Sequence, residues 1–202
     1  MEYFITMSIM IAILTFFTNC KSEESKGESI EKNKNFGMQL IENGFLDFSE
    51  ASDYEKLNDG IIKSFNIYEE SNNRIAHIDA EELAEFSFDF FLPQLQRILN
   101  KRNFKLKVQT AEDYEISNDI YINDEKIKLY TKEEMEKYSF WDTGARNFFN
   151  KINELLLQDG IIEKFYLLYD GNDLHVLLLT DKQYRIIKHR HFDNEYEQPY
   201  LP

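Results

Sequence analysis

Two apolar runs, KFYLLY at residues 164–169 and LHVLLLT at 174–180, stand on either side of Asp170, Gly171, Asn172 and Asp173. Those four residues tolerate positive φ, and apolar runs of this length around such a turn read as the arms of a β-hairpin. The chain must therefore build an antiparallel sheet. YRIIK at 184–188 reads as a third strand beside the pair. A second group of period-2 segments lies upstream at 104–109, 119–122 and 126–130, the last two separated by a polar Asn123, Asp124, Glu125 turn.

Helical spacing fills the rest. Residues 39–48 and 54–68 carry apolar side chains one turn apart, as in Leu57, Ile61, Ile62, Phe65 and Tyr68. Residues 74–78 read as a strand or extended link. Asp79 and Glu82 form a capping-box signature before ELAEFSFDFFLPQLQRILNKR, a helix that Pro93 should bend or restart. Thr131 and Glu134 repeat the signature. The most regular amphipathic helix follows near Ala145, with Phe148, Phe149, Ile152, Leu155 and Leu156 on one side, and Asp159–Gly160 should end it. The expected class is α+β: an antiparallel sheet of two three-stranded meanders, with helices packed on one face. The order of one helix and three strands occurs twice, each unit opening with a Phe pair (Phe90 and Phe91, then Phe148 and Phe149), which suggests two similar units but speaks mainly for one antiparallel sheet with helices on a face.

The chain of 202 residues has 23 Lys plus Arg against 37 Asp plus Glu, a formal charge of −14. That field repels nucleic acid, whose binding depends on a clustered basic face. An aromatic content of 15% argues for a folded chain despite the charge. A single cysteine excludes a scaffold of paired disulfides.

That cysteine has a particular setting. Residues 3–17, YFITMSIMIAILTFF, carry no charge but are too few for the roughly 20 that span a bilayer as a helix. They read as the apolar core of a signal peptide. Thr18, Asn19 and Cys20 follow, and then the polar stretch KSEESKGESIEKNKN. On these residues the N-terminus resembles a bacterial lipoprotein precursor, with Phe17 and Asn19 in place of the usual lipobox residues. The resemblance implies that Cys20 is lipidated and becomes the first residue after cleavage. It also implies a two-chain anchor, which holds a protein at a membrane far better than one chain does. The acidic run from Lys21 to Glu24 resembles stretches that send some lipoproteins to the cell surface. The expected organisation is a signal peptide at 1–19, a flexible tether at 20–35 and one globular domain at 36–202. Cleavage would remove one charge, Glu2, and leave −13 on the mature chain.

No P-loop, GxGxxG, GxSxG, HExxH or CxxC occurs, and no catalytic set or cofactor is expected. His189 and His191, with Asp193 two residues on, are the metal candidates, since alternate residues of a strand face one way. The competing reading is a basic, solvated strand end. His175 reads as a hydrogen-bonded strand histidine rather than a general base. The carboxylate groups Asp53 with Glu55, Glu81 with Glu82 and Glu85, and Glu133 with Glu134 read as solvated faces. Asp142 and Arg146, beside Trp141, have the spacing of an ion pair at a helix start. Four Phe within residues 86–91 exceed one helical face, so part of that surplus should reach the surface.

The function expected from these features is a cell-envelope lipoprotein acting as a non-enzymatic, acidic protein-binding module, with the membrane and a basic protein as its partners. The broad organisation resembles immunity-type proteins, inhibitors of secreted toxins. Two other readings stay open: an envelope assembly lipoprotein, and a periplasmic or surface hydrolase built on carboxylates and the histidine pair. Both membrane faces are open as well.

Overall fold

In the computed structural model, which describes residues 31–202, two three-stranded antiparallel sheets form with helices around them. Residues 31–42 are helical (α1), and the expected tether therefore overlaps a helix at 31–35; Asn33 is buried there and accepts hydrogen bonds from the Arg190 guanidinium. The signal peptide and Cys20 lie outside the described residues. Helix α2 (Tyr54–Ser64) follows after a turn region, shorter than expected because Phe65 adopts a left-handed conformation and ends it.

Sheet A has the order β1–β6–β5, built from β1 (Ile75–His77), β5 (Lys164–Leu168) and β6 (His175–Leu179). The hairpin is present, with Lys164 opposite Leu179 and Leu168 opposite His175. Its third strand differs from the expected one. Residues 184–188 belong to helix α8 (Asp181–Arg190), and β1 pairs with β6 instead, Ile75 opposite Leu177. The cause is local. Thr180 accepts a hydrogen bond from the Gln183 N–H while the Gln183 side chain accepts from the Thr180 N–H, a capping box that starts a helix where the apolar pair Ile186–Ile187 fits either period. The helix–meander unit therefore does not recur.

Sheet A is buried on both faces, which explains why its strands read as unbroken apolar runs. Phe165, Leu167, Val176 and Leu178 join the larger core, while Tyr166, Leu168, Leu177 and Leu179 face α1, α2 and α8. Helices thus pack on the expected face and also on the opposite one. Gly37 marks where α1 and α2 touch: a Cβ there would stand 2.7 Å from the Ile61 carbonyl oxygen.

Sheet B is the expected meander, β2 (Val108–Thr110), β3 (Asp119–Ile122) and β4 (Glu125–Lys128), with one short helix, α5 (Tyr114–Ser117), inside the β2–β3 connection. The long helix around Pro93 is divided. Helix α3 (Ala80–Ala84) starts on Asp79, whose carboxylate accepts from the Glu81 and Glu82 N–H groups. Phe86 then takes a positive φ, Phe88–Phe90 form a 3₁₀ turn, and α4 (Leu92–Asn100) begins with Pro93 in its first turn, where the ring costs no hydrogen bond. Thr131 caps α6 (Lys132–Glu136) as expected. Helix α7 (Phe140–Gln158) carries Phe148, Phe149, Ile152 and Leu156 into the larger core and stops at Asp159.

Candidate functional site

The break between α3 and α4 distributes the four phenylalanines. Phe88 and Phe91 turn inward onto Phe148, at centroid distances of 6.1 and 5.8 Å. Phe86 packs edge-on to Tyr114 at 5.0 Å, and Phe90 remains 45% exposed. The surplus of rings thus does reach the surface. The turn holding Phe86, Asp89 and Phe90 forms one wall of an open groove of about 1210 Å³, and β2 with residues 111–113 forms the other.

Charge in the groove is predominantly acidic. Asp89, Glu112 and Asp113 line it, and among the described residues none of them forms a salt bridge. Lys126 also lines it, but its ammonium is 2.8 Å from Asp119. Hydrogen bonds from Lys126 and Lys128 hold the Asp119 carboxyl below the usual carboxylate range.

The β2 wall is an open sheet edge. The Asn123 N–H donates to the Lys107 carbonyl and the Ala111 N–H donates to the Asp119 carbonyl. Residues facing the partner alternate in an antiparallel ladder, so Gln109 faces Tyr121, and Val108 and Thr110 present their N–H and C=O groups outward. At the near end, the Gln96 side chain stands in for a missing strand, accepting from the Leu106 N–H at 3.3 Å and donating to the Phe104 carbonyl at 3.4 Å. Beyond Gln96, among the described residues, no group pairs with the outward backbone of Val108 or Thr110. Strand edges of this kind template the addition of another chain.

The histidines do not converge on a metal site. His189 lies in the last turn of helix α8 and His191 is its C-cap, two residues apart on a helical path, so their rings point to different neighbours: His189 edge-on to Phe36 at 5.3 Å, His191 edge-on to Phe65 at 5.7 Å. Asp193 lies 3.8 Å from Lys32. Among the described residues, no three His, Cys, Asp or Glu side chains gather as a metal would need. The competing reading of a solvated strand end is corrected as well, because the segment is the end of a helix and His191 is half-buried beside Phe65.

His175 is hydrogen-bonded on its strand, its Nδ1 2.7 Å from the Asp173 carbonyl oxygen. It stands opposite His77, at a centroid distance of 4.8 Å. Burial, together with the charge of His77, pushes its pKa below the ordinary 6.5, and burial does the same to His191. The folded chain therefore resists protonation that the unfolded chain accepts, and stability falls as pH drops through 6.5. The melting temperature should decline between about pH 7.5 and about pH 5.5, and a His175→Gln, His191→Gln variant should show a flatter profile there. Equal slopes for both proteins would assign that decline to other groups.

The remaining clusters are structural. Asp142 and Arg146 pair at 2.8 Å as their spacing implied, and Arg146 also donates to the Leu201 carbonyl, tying the chain end to α7. Glu134 completes a helix cap and Glu133 pairs with Lys137. A buried cluster in which Glu163 sits between Arg74 and Arg102 corresponds to no sequence motif. Its members are widely separated along the chain, and no local pattern marks them.

No protein-family model matches the chain, and neither a curated protein nor a solved structure shows significant similarity to it.

Proposed function

We propose that the chain is a bacterial envelope lipoprotein, anchored through Cys20, that works without catalysis by binding a basic protein, in the manner of an immunity-type inhibitor. The observation that carries this reading is the groove between the 86–90 turn and β2. It combines carboxylates, exposed phenyl surface and unpaired backbone, groups that can together hold an extended basic chain. The excess of acidic residues, −14 on the full chain and −13 after cleavage before Cys20, steers cationic partners toward such a surface and speeds their encounter. Phe90 supplies an aromatic anchor of the kind that dominates binding energy at interfaces.

Co-expression tests the reading. A basic toxin encoded by a neighbouring gene should kill cells that lack this protein and spare cells that express it. Equal killing by every such candidate would overturn the proposal. The anchor is tested separately: palmitate should label the wild type and not Cys20→Ala, and the variant should move to the soluble fraction. Label retained on the variant would remove Cys20 as the attachment point.

A further inference from the structure

We infer that the outer edge of β2 takes up an extended basic segment of the partner as a fourth strand of sheet B. This rests on the protein-binding reading above and specifies its mode. In strand addition, main-chain hydrogen bonds supply affinity, and pockets for alternate side chains supply specificity.

The groove meets both requirements. Val108 and Thr110 offer outward donors and acceptors at alternate positions, and Gln96 closes the edge at Leu106, so an added strand has a defined end. The groove lining includes Thr110 from one side of the sheet and Gln109 and Tyr121 from the other, so the cleft runs along the edge itself. An added strand would direct successive side chains to opposite faces of sheet B. One set would meet the phenyl wall at Phe86 and Phe90, and the other would lie over the Tyr121 side.

Charge selects the occupant. Asp89, Glu112 and Asp113 line the groove along the edge, and the cation in that lining, Lys126, is held by Asp119. A second copy of this chain is disfavoured for the same reason. Each copy carries the same excess of carboxylates, so a second copy meets this acidic groove with a net repulsive charge.

The test uses the full chain in detergent and synthetic peptides of about ten residues that alternate Lys and Val, a length that covers a short edge with margin at either end. Fluorescence anisotropy should show binding that weakens as salt rises, and no binding of a Glu–Val peptide. Two further peptides carry N-methyl groups, one on every Lys amide and one on every Val amide. Only one set of amides faces β2, so one methylated peptide should bind like its parent and the other should lose about tenfold or more. Thr110→Pro, which removes an outward donor at a position where an edge strand tolerates proline, should weaken binding by about tenfold with an unchanged melting temperature. If that variant fails to fold, the methylated peptides decide the matter. Equal binding of both methylated peptides overturns strand addition and leaves the basic-partner reading standing. If the unmodified peptide does not bind while a folded basic toxin does, the outcome is the same. Failure of both ligands overturns the inference and the function together. Sedimentation of the free chain as a dimer that the peptide does not dissociate assigns the edge to a second copy and also overturns the inference.

Discussion

Glu163→Gln should destabilise the protein by about 3–5 kcal/mol, the usual cost of breaking a buried ion pair from one side. For a chain of this size that corresponds to a melting temperature lower by roughly 10 °C. Arg74 and Arg102 share this single carboxylate, and the three side chains are only 1%, 2% and 8% exposed. Each guanidinium is otherwise spent on backbone carbonyls: Arg74 on Phe45, Gly44 and Leu178, Arg102 on Asn73 and Ile98. Phe48 covers the Arg102 guanidinium at 3.7 Å. Glutamine removes the one carboxylate that both guanidinium groups contact. Burial favours the protonated Glu163 carboxyl, yet hydrogen bonds from Arg102 and the charge of Arg74 hold it below the usual carboxylate range. Its contribution is therefore complete above the ordinary value of 4.5 and is lost as pH falls below it. Acid unfolding should be steeper in the wild type than in the variant. A triple variant with Arg74→Met, Arg102→Met and Glu163→Leu should recover most of the loss, since a packed apolar replacement of a buried ion cluster is often neutral. A melting temperature within about 2 °C of wild type for Glu163→Gln would show that the cluster admits water.

Phe148→Ala should cost about 3–5 kcal/mol by chemical denaturation, the range for removing a fully buried ring that leaves a cavity. Phe148 is the hub of the larger core, touching Phe88, Phe91 and Phe149 at 6.1, 5.8 and 5.1 Å. Two of those three rings belong to the segment that forms the groove wall, so the cavity opens directly behind the proposed binding surface. The variant should also bind the Lys–Val peptide more weakly than wild type under conditions where both are folded. Leu156→Ala, also fully buried on α7 but outside this ring cluster, should destabilise by about 2–5 kcal/mol and leave peptide affinity unchanged. Equal affinity for all three proteins would separate the core from the groove.

The contrast between α7 and α8 shows how much of the fold was legible. Helix α7 has 19 residues, with five turns of apolar spacing and a Gly just past its end, and its sequence admits one reading. Helix α8 presents only a short apolar pair after a strand, where periods of two and 3.6 both fit, and the Thr180–Gln183 capping box decides between them. Strand β1 was visible as an extended segment, but its partner was not, because pairing across about a hundred residues leaves no local trace. The site followed the same rule. The excess of phenylalanines at 86–91 pointed to a surface role. The bare β2 edge did not appear in the sequence, since an edge is defined by the strand that is missing beside it. His189 and His191 misled because their convergence depended on strand geometry at a place where the chain is helical.

The position of β1 also bears on how the molecule comes to exist. Its hydrogen-bonding partner, β6, lies about a hundred residues further along the chain, so sheet A stays unfinished until the β5–β6 hairpin has been made. Closing so long a loop is slow, and it comes late in folding. Until then Ile75 and Ala76 have no ladder to join, and the segments on either side of β1 are held by helix packing alone.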